Sequence, residues 1–295
     1  MQAAVAACFP DTGLHVGDLA WMIRGHDHVD LRSRIDLWET ADRAVRGWTG
    51  LHPNGGFYLF IDPGHADAGQ IDWMLDVVQA HATDAEAAGD PRVALCTDGL
   101  DSERSTTDRI VGERLEQRGF VASPSQSGGV LAMSVEDIAD PSLPPGYRLR
   151  DLSDAALIGG RVEAGRLAFA PSELTLSVSA YMRVRRTWPY EERCDRVVVH
   201  DRDGVVAFCT GWVDEANGCG LLQPVGVAPT HQRHGLGRAV CLDALAALRE
   251  AGMTHARVGF ASKPGEMLYR SLGFSYCRAD TEYRREADDP SSRAR

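Results

Sequence analysis

Apolar residues recur with two different spacings along the second half of the sequence. In residues 154–169 and 172–187 they return every three or four positions, which predicts two helices that each bury one face. Two short apolar runs, 196–200 and 205–212, flank the polar turn 201–204 and predict a β-hairpin. The remaining predicted elements are a strand at 221–227, a helix at 237–250, a strand at 255–260, a helix at 265–271 and a last strand at 275–283. This order predicts an α/β domain with a mixed sheet.

The first half of the chain repeats the later part of this order. It predicts strands at 34–39, 44–51 and 56–61, a helix at 71–88, a strand at 92–96 and a helix at 107–118. Ile61-Asp62-Pro63 matches Val227-Ala228-Pro229, and LEQRGF at 115–120 matches YRSLGF at 269–274. We interpret the repeat as a tandem duplication, the alternative being two α/β domains that share common elements by chance.

A proline-rich segment separates the two halves. Residues 139–146 hold three prolines in eight positions, which neither a helix nor a central strand tolerates. We therefore expect a first domain at 1–138, a linker at 139–146, a second domain at 147–288 and a disordered tail at 289–295. A chain of 295 residues suits two domains of about 150 residues each.

Charge and cysteine usage limit the partners. The net charge is −11, and residues 1–140 hold 10 arginines against 23 acidic residues, so the second half is the better host for an anionic ligand. The 7 cysteines are scattered without a C-x-x-C pair, which argues against a zinc cluster or a disulfide framework. We expect a cytoplasmic protein with no metal, no nucleic-acid partner and no membrane span.

The sequence VGVAPTHQRHGLGRA, residues 225–239, joins a predicted strand to a helix that opens on Gly235 and Gly237. The first turn of a helix has N–H groups without partners and a positive dipole end, so it binds phosphate well. Arg233 and Arg238 add positive charge. A dinucleotide fingerprint requires a third glycine where Val240 stands, and no Gly-Lys-Ser/Thr of a P-loop follows.

Three elements in order carry a family resemblance. The Q/R-x-x-G-x-G/A motif at 232–237 follows a strand ending in VGVAP and precedes LYRSLGF at 268–274 by about 30 residues. This order resembles the GNAT superfamily, the acetyl-CoA-dependent N-acetyltransferases, over about residues 145–285. The resemblance implies an α/β (α+β) fold of two tandem GNAT-like domains, each a mixed, mostly antiparallel twisted sheet flanked by helices.

The resemblance also implies how acetyl-CoA binds, namely between two splayed strands. Backbone groups of Val225, Gly226 and Val227 would pair with the pantetheine arm, and one N–H there would polarise the thioester carbonyl. The residues implied to surround the pyrophosphate are Gln232, Arg233, His234, Gly235, Leu236, Gly237 and Arg238. Ser262 stands near the place where the family often has an asparagine against the CoA arm, and is a weaker substitute.

The resemblance gives one catalytic position and leaves another open. Tyr269 stands where the family places the tyrosine that protonates the leaving CoA thiolate, although a core aromatic is the alternative. Many relatives carry the general base where this chain has Gln223, which cannot act as one. Asp214 and Glu215 are the nearest carboxylates in sequence, but they also fit a polar turn. His200 is a further candidate, although a histidine beside a turn is more often structural.

In the family, the first helices usually cover the acceptor. Phe169, Tyr181, Trp188 and Tyr190, with Gln223, are candidates for the pocket wall, but their spacing also fits a core. The resemblance implies a monomer or homodimer in which a small-molecule primary amine attacks acetyl-CoA directly in a ternary complex. The alternative is a non-catalytic acyl-CoA-binding or regulatory protein.

The first copy departs further from the family pattern. Aligned on the shared proline, residues 66–71 lie opposite 232–237, and Asp67 replaces Arg233. Leu115 stands at the tyrosine position. We expect this copy to be degenerate, to hold no CoA in the usual way and to help shape the acceptor site.

Overall fold

The structure is a computed structural model that describes residues 1–24, 35–51, 56–87, 96–123, 128–170, 176–260 and 262–285. Its helices are α1 (Gln2–Cys8), α2 (Val16–Arg24), α3 (Ala68–Ala87), α4 (Thr106–Gln117), α5 (Ile158–Ala168), α6 (Val178–Arg185), α7 (Leu236–Glu250) and α8 (Lys263–Leu272). Its strands are β1 (Ile35–Glu39), β2 (Val45–Leu51), β3 (Phe57–Ile61), β4 (Cys96–Leu100), β5 (Val121–Ser123), β6 (Gly129–Ser134), β7 (Tyr147–Asp151), β8 (Tyr190–His200), β9 (Gly204–Asp214), β10 (Cys219–Val227), β11 (His255–Phe260), β12 (Ser275–Ala279) and β13 (Thr281–Arg284). This mixed α/β architecture, with a mostly antiparallel main sheet flanked by helices, confirms the predicted fold class.

The described residues pack into two compact units. Unit 1 comprises Met1–Leu14, Val29–Gly129 and Arg278–Arg295, and unit 2 comprises His15–His28 and Val130–Cys277. The predicted domain bounds 1–138 and 147–288 stay a prediction about the duplicated sequence. The packing units follow other bounds, because segments near both ends of the chain join the unit formed by the opposite half.

Unit 2 is built on a seven-stranded sheet in the order β12-β6-β11-β10-β9-β8-β7. Strands β7 to β10 are antiparallel neighbours, whereas β10 and β11 run parallel. One face of the sheet packs against α7 and α8 through side chains such as Val198 and Leu245, and the other packs against α5 and α6 through Val197 and Phe208. The predicted hairpin is confirmed, with Gly204 at φ +72° in its turn.

Unit 1 contains two three-stranded sheets, β1-β2-β3 and β4-β13-β5. Its core holds apolar side chains of α3 and α4, among them Ile71, Met74 and Leu115, against strand residues such as Phe57. The predicted pairing of the first two strands is confirmed. Most of the predicted strand 92–96, the turn at 52–55 and the tail at 289–295 lie outside the described residues.

The prediction of one last strand at 275–283 is wrong. The chain breaks at Asp280 into β12, which lies in the main sheet of unit 2, and β13, which lies between β4 and β5 in unit 1. In the same way β6, from the first half of the sequence, lies between β11 and β12 in unit 2. The two halves of the sequence therefore exchange their final strands.

The helices before the hairpin are shorter than the sequence pattern predicts. A 3₁₀ turn at Ala155–Leu157 precedes α5, and α6 begins only after Ser177, whose Oγ accepts a hydrogen bond of 3.1 Å from the N–H of Ala180. The predicted cap Ser172 lies outside the described residues. Within the described part of the chain, none of the helices combines the length and apolar content that crossing a lipid bilayer requires.

Candidate active site

The two central strands of unit 2 separate at one end. Both strands are fully described, and β10 pairs with β11 at Cys219, Gly220 and Leu221, where the register ends. Its pairing with β9 shifts between Leu222 and Val225, around Pro224, because proline has no N–H for the sheet ladder. The following residues, 225–227, are only half-buried and have an open edge toward β11. This is the predicted splay between the two strands.

The N-terminus of α7 lies immediately beyond this open edge. Gly235 is its N-cap, at φ +77°, and no side chain caps the helix. The N–H of Ala239 is bonded to the carbonyl of Gly235, so the N–H groups of Leu236, Gly237 and Arg238 have no partner within the helix. A Cβ on Gly237 would lie 3.4 Å from Leu268 and 3.5 Å from Val227, in ordinary van der Waals contact with both side chains. A helix terminus with unpartnered N–H groups and a positive dipole end is suited to binding an anion.

The side chains of the predicted pyrophosphate loop differ in their contacts. Gln232 Nε2 donates to the Val227 carbonyl at 3.3 Å, and His234 Nδ1 lies 2.9 Å from the Gln232 carbonyl. Arg238 Nη1 donates to the Ser271 carbonyl at 2.6 Å and so fastens α7 to the last turn of α8. Arg233 is exposed, with φ +66°, and makes no ion pair with the residues that the structure describes. Of these side chains, Arg233 is therefore the one best placed to meet an anion.

Two further predicted residues have structural contacts. Leu236 is buried in the core of unit 2, so only its backbone is available to a ligand. Ser262 is the N-cap of α8, and its Oγ accepts a hydrogen bond of 3.3 Å from the N–H of Gly265. Its side chain is exposed but already engaged with the protein.

Tyr269 lies on α8 with its ring buried in the core of unit 2. The ring contacts Phe274 edge to face, with centroids 6.2 Å apart. Its hydroxyl makes no hydrogen bond to any residue that the structure describes. Burial, and then the nearby thiols of Cys241 and Cys209, raise the pKa of the Tyr269 phenol. The phenol is therefore a neutral donor across the physiological pH range.

The candidate bases Asp214 and Glu215 do not lie near the open edge of β10. Asp214 pairs with Cys219 at the start of that strand, whereas Cys209 is the partner of Val225. Five residues of β9 separate the two positions, which corresponds to about 17 Å. The Asp214 carboxylate is buried and accepts the side-chain amide of Asn217 at 2.7 Å. These residues form the polar turn that the sequence offered as their alternative role.

The four predicted pocket aromatics fall into two groups. Tyr181 and Tyr190 are brought together, since both hydroxyls donate to the same oxygen of Asp195, the latter at 3.0 Å. Phe169 is 45% exposed and Trp188 56% exposed, so these two are the aromatics available to a ligand. Gln223 is half-buried at the shifted register of β10, and its carbonyl accepts Trp212 Nε1 at 2.5 Å.

Asp195 and Arg161 form a buried charged pair that sequence reasoning missed. Both side chains are almost fully inaccessible, with 3.7 Å between Arg161 Nε and Asp195 Oδ1. Thr210 joins them, because its Oγ1 donates to Asp195 at 3.1 Å and accepts from Arg161 Nη2 at 3.3 Å. The guanidinium also lies 3.7 Å from the ring centroid of Phe208. No clear sequence signal marks the pair, because Asp195 lies in the largely charged stretch 191–196, mostly before the strand predicted at 196–200.

Burial and the Asp195 carboxylate raise the pKa of the Tyr181 and Tyr190 phenols. Both hydroxyls therefore keep their protons and act as hydrogen-bond donors. This network stabilises the packing of α5 and α6 on the sheet, next to the surface where the acceptor is expected.

Residues 192–276 match the family model of an acetyltransferase (GNAT) domain. This stretch includes the splayed strands, the N-terminus of α7 and Tyr269. This segment of the chain belongs to the GNAT superfamily. Acetyl-CoA is the co-substrate of that family, and acetyl transfer is its reaction.

Other similar proteins align with more of the chain than this segment. A mycothiol acetyltransferase of Kineococcus radiotolerans is 27% identical over 82% of this chain and 78% of its own length. The crystal structure of a GCN5-related N-acetyltransferase from Sphaerobacter thermophilus aligns with TM-score 0.66 and 17% identity over 98% of this chain and 93% of its own. A tandem GNAT protein from the clavulanic acid biosynthesis pathway aligns with TM-score 0.58 and 15% identity over 98% and 95%. The two solved structures show that this chain shares their fold over nearly its whole length.

Proposed function

We propose that this GNAT protein is an N-acetyltransferase that moves the acetyl group of acetyl-CoA to a primary amine of a small molecule. The observation that carries the proposal is the uncapped N-terminus of α7 beside the open edge of β10. One acetyl-CoA per chain is expected, bound to unit 2, because the first copy has Asp67 where the second has Arg233.

Separate groups of the chain are suited to bind the diphosphate and the pantetheine arm of acetyl-CoA. The free N–H groups of residues 236–238 and the exposed guanidinium of Arg233 would hold the diphosphate. The open backbone edge of residues 225–227 would pair with the pantetheine arm in the manner of an added strand.

The proposed reaction is a direct attack in a ternary complex. The amine nitrogen forms a bond to the thioester carbonyl carbon, the C–S bond breaks, and the sulfur leaves as a thiolate while the nitrogen loses one proton. A strand N–H at 225–227 would stabilise the negative charge on the carbonyl oxygen. Neither of the candidate general bases, Asp214 and Glu215, lies near residues 225–227. The expected nucleophile is therefore an amine that is partly neutral at the working pH.

Tyr269 would stabilise the sulfur atom of CoA as it leaves. Its raised pKa keeps the phenol protonated, so it donates a hydrogen bond to the developing thiolate. Full protonation of the thiolate is then completed with the proton that the amine releases.

The name of the Kineococcus relative makes an acceptor of the mycothiol type the first to test. The exposed rings of Phe169 and Trp188 would provide an apolar surface for it. Aminoglycosides, polyamines and amino-acid derivatives belong in the same panel.

The test is amine-dependent release of free CoA thiol from acetyl-CoA. Tyr269→Phe should keep acetyl-CoA affinity and lower turnover at least tenfold, whereas Tyr276→Phe, at an exposed tyrosine of β12, should change neither. Unchanged turnover in Tyr269→Phe would remove this residue from the mechanism. Tight CoA binding without thiol release for any amine would favour the alternative, a non-catalytic acyl-CoA-binding protein.

A further inference from the structure

Three side chains with metal-binding atoms meet at one end of the unit 2 sheet. They are His200 at the end of β8, Asp203 in the following turn, and His231 in the 3₁₀ turn Pro229–His231 after β10. One ligand atom from each lies within 4.8 Å of the others. We propose that these three residues bind a divalent transition-metal ion, with zinc as the best match.

The distances fit such an ion after a small adjustment. Zinc with nitrogen and oxygen ligands in tetrahedral geometry places neighbouring ligand atoms about 3.4 Å apart. His231 Nε2 and Asp203 Oδ2 are 3.3 Å apart, whereas His200 Nδ1 lies 2.6 Å from the same oxygen. The Asp203 side chain is 55% exposed in a turn, so it has the freedom to open the shorter distance. Three protein ligands would leave the fourth position to water.

One nitrogen of the cluster lacks a proper partner in its present arrangement. His200 Nδ1 is buried, and despite its short distance to Asp203 the contact does not have hydrogen-bond geometry. A buried polar atom without a hydrogen bond is costly and calls for an explanation. An ion bound between the imidazole and the carboxylate would satisfy both groups.

Tyr147 orients the second histidine. Its hydroxyl lies 3.0 Å from His231 Nδ1, which directs Nε2 of that ring toward Asp203. When Nε2 binds an ion, Nδ1 carries the proton and donates it to the Tyr147 oxygen, the outer hydrogen bond that metal-binding histidines usually make. The Tyr147 ring also stacks at a tilt on His200, with centroids 4.7 Å apart, and so fixes both rings.

The ligand set decides which ions are suitable. Two imidazoles and one carboxylate favour zinc, nickel or copper, whereas calcium and magnesium prefer sites made only of oxygen. The neighbouring Asp201 is already paired with Arg148, so Asp203 is the carboxylate that faces the histidines. The expectation of no metal was based on the spacing of the cysteines. That spacing carries no information about histidines that are distant in sequence and meet only in the fold.

An ion here would join the β8–β9 hairpin to the loop that leads into α7. His231 precedes the N-cap Gly235 by four residues. If the ion changes the affinity for acetyl-CoA, then acetyl-CoA must change the affinity for the ion by the same factor. The metal site itself does not depend on the proposed function, and its test needs no turnover.

The experiment is a zinc titration of the untagged full-length chain, after chelator treatment, by isothermal calorimetry. We expect one Zn²⁺ per chain, and at least a tenfold weaker affinity in His200→Ala and in His231→Ala. The matched control is His81→Ala, since His81 Nε2 forms a single pair with Asp36 at 2.7 Å in unit 1 and should leave zinc affinity unchanged.

Two further measurements separate ligand loss from misfolding. Circular dichroism and melting temperature in chelator should show that the variants remain folded, and zinc should raise the melting temperature of the parent chain but not of His231→Ala. Co²⁺ should give the absorption bands of a tetrahedral site. Absence of zinc binding, or equal affinity in the parent and both folded histidine variants, would overturn the proposal.

Discussion

Two glycines at opposite ends of α7 allow the effect of a substitution on the proposed anion site to be distinguished from its effect on backbone strain. Gly235 has φ +77° at the N-cap, and Gly252 has φ +89° just after the C-cap Ala251. A Cβ built on either glycine would meet no atom within 4 Å. Alanine at either position therefore introduces no clash, and the expected cost is the left-handed backbone strain of about 1–2 kcal/mol.

The two substitutions should differ in acetyl-CoA binding. A methyl group at Gly235 would stand among the free N–H groups where the diphosphate is proposed to bind, whereas one at Gly252 would point into solvent at the other end of the helix. We expect Gly235→Ala to raise the dissociation constant at least tenfold, which corresponds to about 1.4 kcal/mol. Gly252→Ala should leave it unchanged.

Urea unfolding followed by fluorescence would measure the stability cost, and calorimetric titration with acetyl-CoA would measure affinity. The parent titration should give one acetyl-CoA per chain. Equal losses of stability with a selective loss of affinity in Gly235→Ala would support the anion site. Equal affinity in both variants would refute the reasoning, because the helix terminus would then not touch the ligand.

Two other predictions concern stability. His15 is buried, accepts the Gly17 N–H at Nδ1 and bonds the Cys219 carbonyl through Nε2, and burial lowers its pKa to about 4. The unfolded chain binds this proton near pH 6.5, so stability is full above that pH and is lost as the pH falls toward 4, by about 2–3 kcal/mol at pH 4.5. In urea unfolding, the free energy of unfolding of His15→Gln should fall less steeply between pH 6.5 and pH 4 than that of the parent chain. An identical pH dependence would contradict this account. Asp195→Ala would leave Arg161 buried without its carboxylate, and we expect a loss of about 3–5 kcal/mol. A loss below about 1 kcal/mol, measured in the same assay, would show that the pair is not energetically coupled.

The elements that sequence predicted well depend on local signals. The hairpin turn 201–204 and the opening of α7 are marked by Gly204 and Gly235, which adopt a positive φ without the steric cost that other residues would have. The strand predicted at 255–260 has those bounds in the structure. The motif then placed the open helix terminus beside the separating strands, because both lie within one short stretch of chain.

The features that sequence missed depend on distant partners. An alternating apolar pattern shows which side of a strand is buried but not which strand it pairs with, so the exchange of β6 and β13 left no local signal. Tyr181 and Tyr190 have the spacing of a pocket wall, yet Asp195 draws both hydroxyls inward. The cluster at His200 and His231 likewise forms only through the fold.

The exchange of final strands has a consequence for how this duplication can evolve. A gene cut within residues 139–146 would encode two polypeptides. The first would lack β13, the middle strand of its β4-β13-β5 sheet, and the second would lack β6, an interior strand of its main sheet. Each would also carry one strand that normally completes a sheet of the other. Once each half supplies a strand to the sheet of the other, deleting either half would remove a strand from the sheet that remains. Selection for folding alone would then be enough to retain the first copy, whether or not it binds the coenzyme.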